Sequence, residues 1–239
     1  MNGPVVPNVR PGQTPPPMSR FGPDPQAFFD AVYREPAPWD IGRPQPDMAA
    51  LLAEHPPTSP VLDVGCGSGD LAVALAEGGH DVLGVDFVAE AIAQAQRKRD
   101  ALPPDVARRL DFRVADALRP SLLGRSFGAV VDSGFYHLFD PDACARFVED
   151  LALALAPGGR YYLHAFAVEF PIPNTPRAIT EAELRSLFTP ERGWRVLTIR
   201  PGEFLSRIAP VPAILACAER APAAGPEPPA TRRTRGASR

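Results

Sequence analysis

Cysteine is scarce, basic charge is not in surplus, and long apolar runs are missing. Cys66, Cys144 and Cys217 are an odd number with no metal-type spacing. That argues against a disulfide scaffold or a metal site, and for a reduced, cytoplasmic chain. The formal net charge of -3 lacks the basic face of a nucleic-acid binder. No stretch reaches the roughly 18 to 20 apolar residues that cross a bilayer. The start of the chain also lacks the charged, then apolar, pattern of a secretory signal. What is present suits one domain with a substantial core: 239 residues, 45% hydrophobic and 22% charged.

Proline is plentiful, and its placement divides the chain. Residues 1–25 hold eight prolines and no apolar periodicity, so they read as a disordered leader. Residues 220–239 read as a solvated tail, with Arg232, Arg233 and Arg235 as an alternative basic contact for an acidic partner. The domain between them spans 26–219.

Within it, short apolar runs alternate with helical patterns, the mark of a parallel sheet with crossover helices. Pro60 to Val64, Asp81 to Asp86, Leu110 to Val114, Phe127 to Val131 and Arg160 to Phe166 read as the first five strands. Trp194 to Ile199 and Val211 to Cys217 finish the sheet with a tight return. The expected fold is α/β: a doubly wound, mostly parallel, seven-stranded Rossmann-like sheet with an antiparallel last strand. Helices are expected at Pro46 to His55, through Leu71, Ala74 and Leu75, and through Val88, Ala91, Ile92 and Ala95, the last at i, i+3, i+4 and i+7. Asp140-Pro141 opens another, with Cys144, Phe147, Val148, Leu151 and Leu155 on one face. Thr180-Glu-Ala-Glu183 reads as a capping box.

The strongest signal is Val61-Leu-Asp-Val-Gly-Cys-Gly-Ser-Gly-Asp70. A buried strand breaking into glycines and then a helix turns backbone N–H groups toward a ligand beyond the carboxyl edge of the sheet. A dinucleotide site wants glycine where Asp70 stands. Asp63 would repel a pyrophosphate but suits a cationic amine.

This pattern resembles the acidic-x-G-x-G-x-G motif of class I S-adenosylmethionine-dependent methyltransferases, and the likeness runs in order from about residue 60 to 170. It implies that Asp63 and the loop of Gly65, Cys66, Gly67 and Gly69 hold the methionine part of S-adenosyl-L-methionine. It also implies that Asp86 accepts both ribose hydroxyls and that Phe87 lies against the adenine. Asp116, with Ala117 beside it, would accept from the adenine amino group, and Asp132 would sit beside the methyl group. Each carboxylate alone reads as a helix cap or turn residue. Four of them ending strands at one sheet edge are harder to explain that way.

Methyl transfer from a sulfonium needs alignment and water exclusion, and a base only if the acceptor enters protonated. His137 and Tyr136, after the fourth strand, are the candidates to face the acceptor, with His137 as a possible base. The plainer reading has His137 packing the following helix. His164 reads first as a hydrogen-bonded core residue, with catalysis as the alternative. Pro38-Trp-Asp-Ile-Gly-Arg-Pro-Gln-Pro46 looks like the N-terminal segment of thiopurine, thiol and halide methyltransferases, and is similar to that of enzymes methylating heterocyclic toxins and quinolones. That similarity makes residues 26–56 a lid, with Trp39 and Arg43 lining the cofactor site and Tyr33 nearby. On its own, Trp39 reads equally as a hydrophobic plug.

The function expected is methylation of oxygen, nitrogen or sulfur on a small aromatic or heterocyclic molecule. The acceptor would lie between the lid, the Tyr136-His137 segment and the Pro171 to Pro176 loop. No nucleic-acid or membrane partner is expected, and the chain would act as a monomer or homodimer. The rivals are an NAD-dependent oxidoreductase and a catalytically silent cofactor-binding protein. Binding of NAD alone would favour the first; S-adenosylhomocysteine binding without methyl transfer would favour the second.

Overall fold

The structure, a computed structural model, describes residues 17–221. The chain runs α1 (Pro25–Val32), α2 (Pro46–Glu54), β1 (Val61–Val64), α3 (Asp70–Glu77), β2 (Val82–Asp86), α4 (Ala89–Asp100) and α5 (Pro104–Ala107). It continues through β3 (Leu110–Val114), β4 (Phe127–Ser133), α6 (Pro141–Ala154), β5 (Leu155–Phe166), α7 (Glu181–Leu187), β6 (Trp194–Phe204) and β7 (Val211–Arg220). The strands form a seven-stranded sheet in the order β3-β2-β1-β4-β5-β7-β6. β1 pairs in parallel with β2 and β4, with Val61 opposite Val82 and Ala129. β7 is antiparallel to both β5 and β6.

Alternate residues of each strand feed two different cores, as the pleat requires. Leu62, Leu83, Val130 and Tyr161 pack with Phe147 and Leu151 of α6 on one face. Val61, Val82, Ala129 and Tyr162 pack with Met48 of α2, Leu75 of α3 and Ile92 of α4 on the other. With both faces covered, β1 is buried along its whole length, which is why it reads as an unbroken apolar run around Asp63.

A third, smaller cluster gathers Phe21, Phe29, Tyr33 and Ala37 against Val88 and Ala91 at the start of α4. It places the N-terminal segment over the carboxyl edge of the sheet. Asp24 caps α1, accepting from the Ala27 N–H at 3.0 Å, and Pro25 occupies the first helical position.

Several details differ from the sequence reading: β5 starts at Leu155, which the sequence placed on the face of α6, and not at Arg160. Packed structure begins inside the expected leader. Ser19 donates through its hydroxyl (2.7 Å) and its N–H (3.2 Å) to Asp140, and Phe21 is buried. Asp140 therefore ties this segment to α6 instead of capping α6 with its side chain. Arg220 closes β7, and residues 222–239 of the expected tail, like residues 1–16, lie outside the described residues. Only half of the capping box forms: Thr180 accepts from the Glu183 N–H at 3.2 Å. The Glu183 carboxylate turns away to the Tyr136 hydroxyl (2.9 Å) and the Arg177 guanidinium (2.6 Å).

Candidate active site

The strand order reverses between β1 and β4, and a doubly wound sheet opens a crevice at that point. A cavity of about 1190 Å³, its open mouth included, occupies it. Its floor is the turn after β1. Gly65, Gly67 and Gly69 all have positive φ, at 62°, 52° and 87°, a conformation that side chains resist. A Cβ on Gly65 would meet the Phe135 ring at 2.6 Å, and one on Gly67 the Tyr33 hydroxyl at 2.7 Å. The turn thus presents bare backbone to the cavity. Gly69 does not line it: it opens α3, pressed against Ala95 and Phe112.

Two carboxylates stand at this floor. Asp63 is almost wholly buried, and its Oδ2 has no hydrogen-bond partner. Burial raises its pKa well above the usual carboxylate range, and Asp132 and Asp86 push it the same way. Asp86, at the end of β2, accepts from the Gly67 N–H (3.0 Å) and the Val88 N–H (2.9 Å), so it braces the glycine turn from the neighbouring strand. Burial raises its pKa too, against those two bonds. Asp40 and Asp70 add to the same wall. Arg43 is the only arginine or lysine lining the cavity among the described residues. The result is an acidic bowl with an unpaired buried oxygen, suited to an organic cation.

The lid completes the cavity. Phe29 meets the Phe87 ring edge-on at 5.6 Å, and Trp39 donates to the Tyr33 hydroxyl at 3.3 Å. Polar ties hold the segment down. The Ser68 hydroxyl donates to Asp40 at 2.6 Å, Lys98 joins Ser68 to Asp70, and Gln94 donates to the Tyr33 carbonyl at 3.1 Å. Gln45 exchanges two bonds with the backbone of Leu205, and the Arg207 N–H donates to the Pro38 carbonyl at 2.8 Å.

Trp39, Arg43, Asp63, Gly65, Cys66, Gly67, Asp86, Phe87 and His137 all reach the cavity. Asn174 and Pro176 of the proline-broken loop reach it as well. The others do not. Asp116 is exposed and accepts from the Leu118 N–H at 2.9 Å, a turn role. Ala117 is buried in the core. Asp132 is fully buried, taking up the Phe135 N–H (2.9 Å), the Tyr136 N–H (3.1 Å) and the Tyr161 hydroxyl (2.7 Å), so it shapes the turn after β4. Tyr136 is buried, bonded to Glu183 and covered by Arg177 5.5 Å from the ring centre; it is a packing residue, not an acceptor contact. His164 is buried, with Nε2 bonded to the Glu203 carbonyl at 3.1 Å, in keeping with the core reading.

Sequence reasoning missed Phe21, Phe28 and Phe29, all on the cavity wall. Two phenylalanines in the middle of α1 were a usable signal, but the proline count around Phe21 masked it. Phe204 was missed because β6 runs five residues past its expected end at Ile199, bringing its last residue to the same sheet edge.

A methyltransferase domain family matches residues 61–159. The chain is 31% identical over 186 residues to the 2-heptyl-1-hydroxyquinolin-4(1H)-one methyltransferase of Mycobacteroides abscessus, covering 74% of this chain and 80% of that protein. This chain is an S-adenosylmethionine-dependent methyltransferase. A probable thiol methyltransferase of Arabidopsis thaliana is 26% identical over 70% of this chain and 72% of its own length. Among solved structures, a protein from work on conversion of a disulfide bond into a thioacetal group in echinomycin biosynthesis shares 30% identity. It covers 82% of this chain and 93% of its own at a TM-score of 0.70. The Burkholderia thailandensis 1,6-didemethyltoxoflavin-N1-methyltransferase, at 22% identity, shares the fold over 89% of this chain and 93% of its own at a TM-score of 0.63. The oxidoreductase alternative falls with this membership. The acidic bowl and the orphaned Asp63 oxygen fit the methyltransferase's cationic cofactor, and the positive-φ glycines leave room for it.

Proposed function

We propose that this methyltransferase methylates oxygen, nitrogen or sulfur on a small, flat aromatic or heterocyclic molecule. One observation carries the reading: the cavity over the acidic floor is walled by aromatic rings from both sides. Phe28, Phe29 and Trp39 come from the lid, and Phe135, Phe166 and Phe204 from the sheet edge. Rings favour flat partners through offset and edge contacts, and the net charge of -3 does not favour a nucleic acid.

In this reading Asp63 and the Gly65–Gly67 turn receive the amino acid end of the cofactor, Asp86 the ribose hydroxyls and Phe87 the adenine. Arg43 offers a charge partner for a carboxylate, and Trp39 an aromatic face for a sulfonium, a contact worth roughly 0.5 to 2 kcal/mol. When bound, the cofactor supplies the methyl group on a positively charged sulfur. The protein's share is to align the acceptor in line with that bond and to keep water out. Such alignment is worth roughly 7 to 11 kcal/mol of barrier. The lid ties around Asp40, Gln45 and Pro38 supply the exclusion. All three cysteines are free thiols, in keeping with action in a reducing cytoplasm.

The test is transfer of label from tritiated S-adenosylmethionine into a panel of phenols, thiols, N-heterocycles, quinolones and halide. Transfer to one aromatic class supports the reading. Tight S-adenosylhomocysteine binding with no transfer to any of them leaves a silent binding protein instead.

A further inference from the structure

His137 lines the cavity, is 3% exposed, and belongs to the short turn after β4. Its Nδ1 lies 2.9 Å from the backbone N–H of Phe166, the last residue of β5. A backbone N–H can only donate, so Nδ1 must be the bare, accepting nitrogen. A neutral imidazole with a bare Nδ1 carries its proton on Nε2. That leaves no lone pair on the ring with which to take a proton. The Nε2 edge lies beside Gly134, itself on the cavity wall, 3.7 Å from where a Cβ would stand. No side chain takes up this nitrogen among the described residues, and the Gly134 backbone beside it favours a proton on the ring. Phe166 holds the ring in place, centroid to centroid 4.5 Å.

The surroundings point the same way. Burial pushes the His137 pKa down to about 3, and His164 of β5 and Arg177 add to that, while the Gly134 backbone opposes it. From the lid, Tyr33, Asp40 and Arg43 face the cavity. From its floor come Asp63, Cys66, Asp70 and Asp86. Tyr33 and Cys66 are held protonated by burial, Asp63 and Asp86 by contrast are the cofactor's carboxylates in the reading above, and the Asp70 carboxylate is paired with Lys98. The Asp40 carboxylate, held low against burial by its bonds, is taken up by the Ser68 hydroxyl and the Gly42 N–H, so among the described residues no cavity wall offers an uncommitted base to the acceptor end.

We propose that His137 is a hydrogen-bond donor to the acceptor, not a base, and that the enzyme selects acidic acceptors that arrive already ionised, such as acidic phenols or N-hydroxy heterocycles. This rests on the small-molecule reading above. The acceptor loses its proton to water before it binds. Its lone pair forms the bond to the methyl carbon, the carbon–sulfur pair stays on sulfur, and no proton is left to move. Nε2–H orients the anion.

Two measurements test this. Long-range proton–nitrogen NMR on the labelled, cofactor-free protein reads the ring directly, whatever the enzyme's substrate. A proton fixed on Nε2, with no titration between about pH 5 and 8, is expected; a proton on Nδ1 or a ring titrating near 6.5 overturns the proposal. The second is a titration of 4-nitrophenol, whose anion is yellow, into the S-adenosylhomocysteine complex. The bound ligand should be yellow at a pH where the free ligand is mostly colourless. His137→Ala should weaken that binding about tenfold or more, and His137→Gln, which keeps a donor but cannot act as a base, should restore most of it. Binding of the colourless form, no binding of the anion, or equal loss in both variants overturns the proposal. A failed acceptor screen with the expected NMR result would instead strike at the substrate reading.

Discussion

Burial holds the Asp132 carboxyl at a pKa of about 7, against the Tyr161 hydroxyl and the backbone N–H groups that favour its ionised form. An unfolded aspartate titrates near 3.9. The folded state therefore keeps a proton that the unfolded state has already released. That stabilisation is complete below about pH 4 and is lost as the pH rises through about 7. Asp63 and Asp86 shift in the same direction. The cofactor-free protein should accordingly lose melting temperature between pH 5 and 8. Asp132→Asn should flatten that slope, while Asp132→Ala, which strands buried donors, should cost about 3 kcal/mol in urea denaturation. A slope unchanged in the Asn variant would show that Asp132 is ionised throughout. Asp86→Asn is the matching test of binding: its affinity for S-adenosylhomocysteine should fall by roughly 1.5 to 3 kcal/mol in calorimetry. At this scale the sequence exposed the carboxylates that end strands, because a charge inside an apolar run is conspicuous. It could not tell Asp63, facing the cavity with a free oxygen, from Asp132, folded back onto the backbone of its own turn. Both follow the same apolar pattern, and only the conformation of residues 133–136 separates them.

Among the elements, the strands and helices around the sheet were legible because each obeys a single period, and the buried stripe Val88, Ala91, Ile92 and Ala95 proved fully apart from solvent. The N-terminal segment was legible only in part. Its prolines spoke for disorder, and the aromatic contacts that order it come from residues far along the chain. Phe21 sits 5.3 Å from Phe28 and 5.1 Å from Phe29, and Ser19 reaches Asp140. This small cluster is tied to the body by few apolar contacts, so it is the part that opens first. Phe21→Ala should leave the global unfolding midpoint within about 1 kcal/mol of wild type while speeding proteolysis in the 20–45 segment and raising the cofactor KM several-fold. Loss of the whole fold at the same time would show that the lid is part of the main cooperative unit.

For the whole molecule, ligand and fold are linked by mass action. S-adenosylhomocysteine at a hundred times its Kd should stabilise the protein by about 2.7 kcal/mol, and NAD by nothing. Burial raises the Asp63 pKa, and a cationic ligand beside it lowers it again, so binding draws on its proton. Affinity for S-adenosylhomocysteine, which carries the same ammonium group as the methyl donor, should therefore rise with pH, and Asp63→Asn should flatten that rise. A slope unchanged in the Asn variant would place the amine away from Asp63.

The order of the strands has a consequence for how the chain matures. β7, made last, is a middle plank, gripped by β5 on one side and β6 on the other. Until it arrives, the half-built sheet shows two open rims, and closing it demands pairing with β5, distant in sequence, a slow step by contact order. A newly made chain is thus most exposed to clumping just before its final strand slots in, and substitutions in residues 211–220 should be felt first in yield from the cell rather than in the chemistry of the finished enzyme.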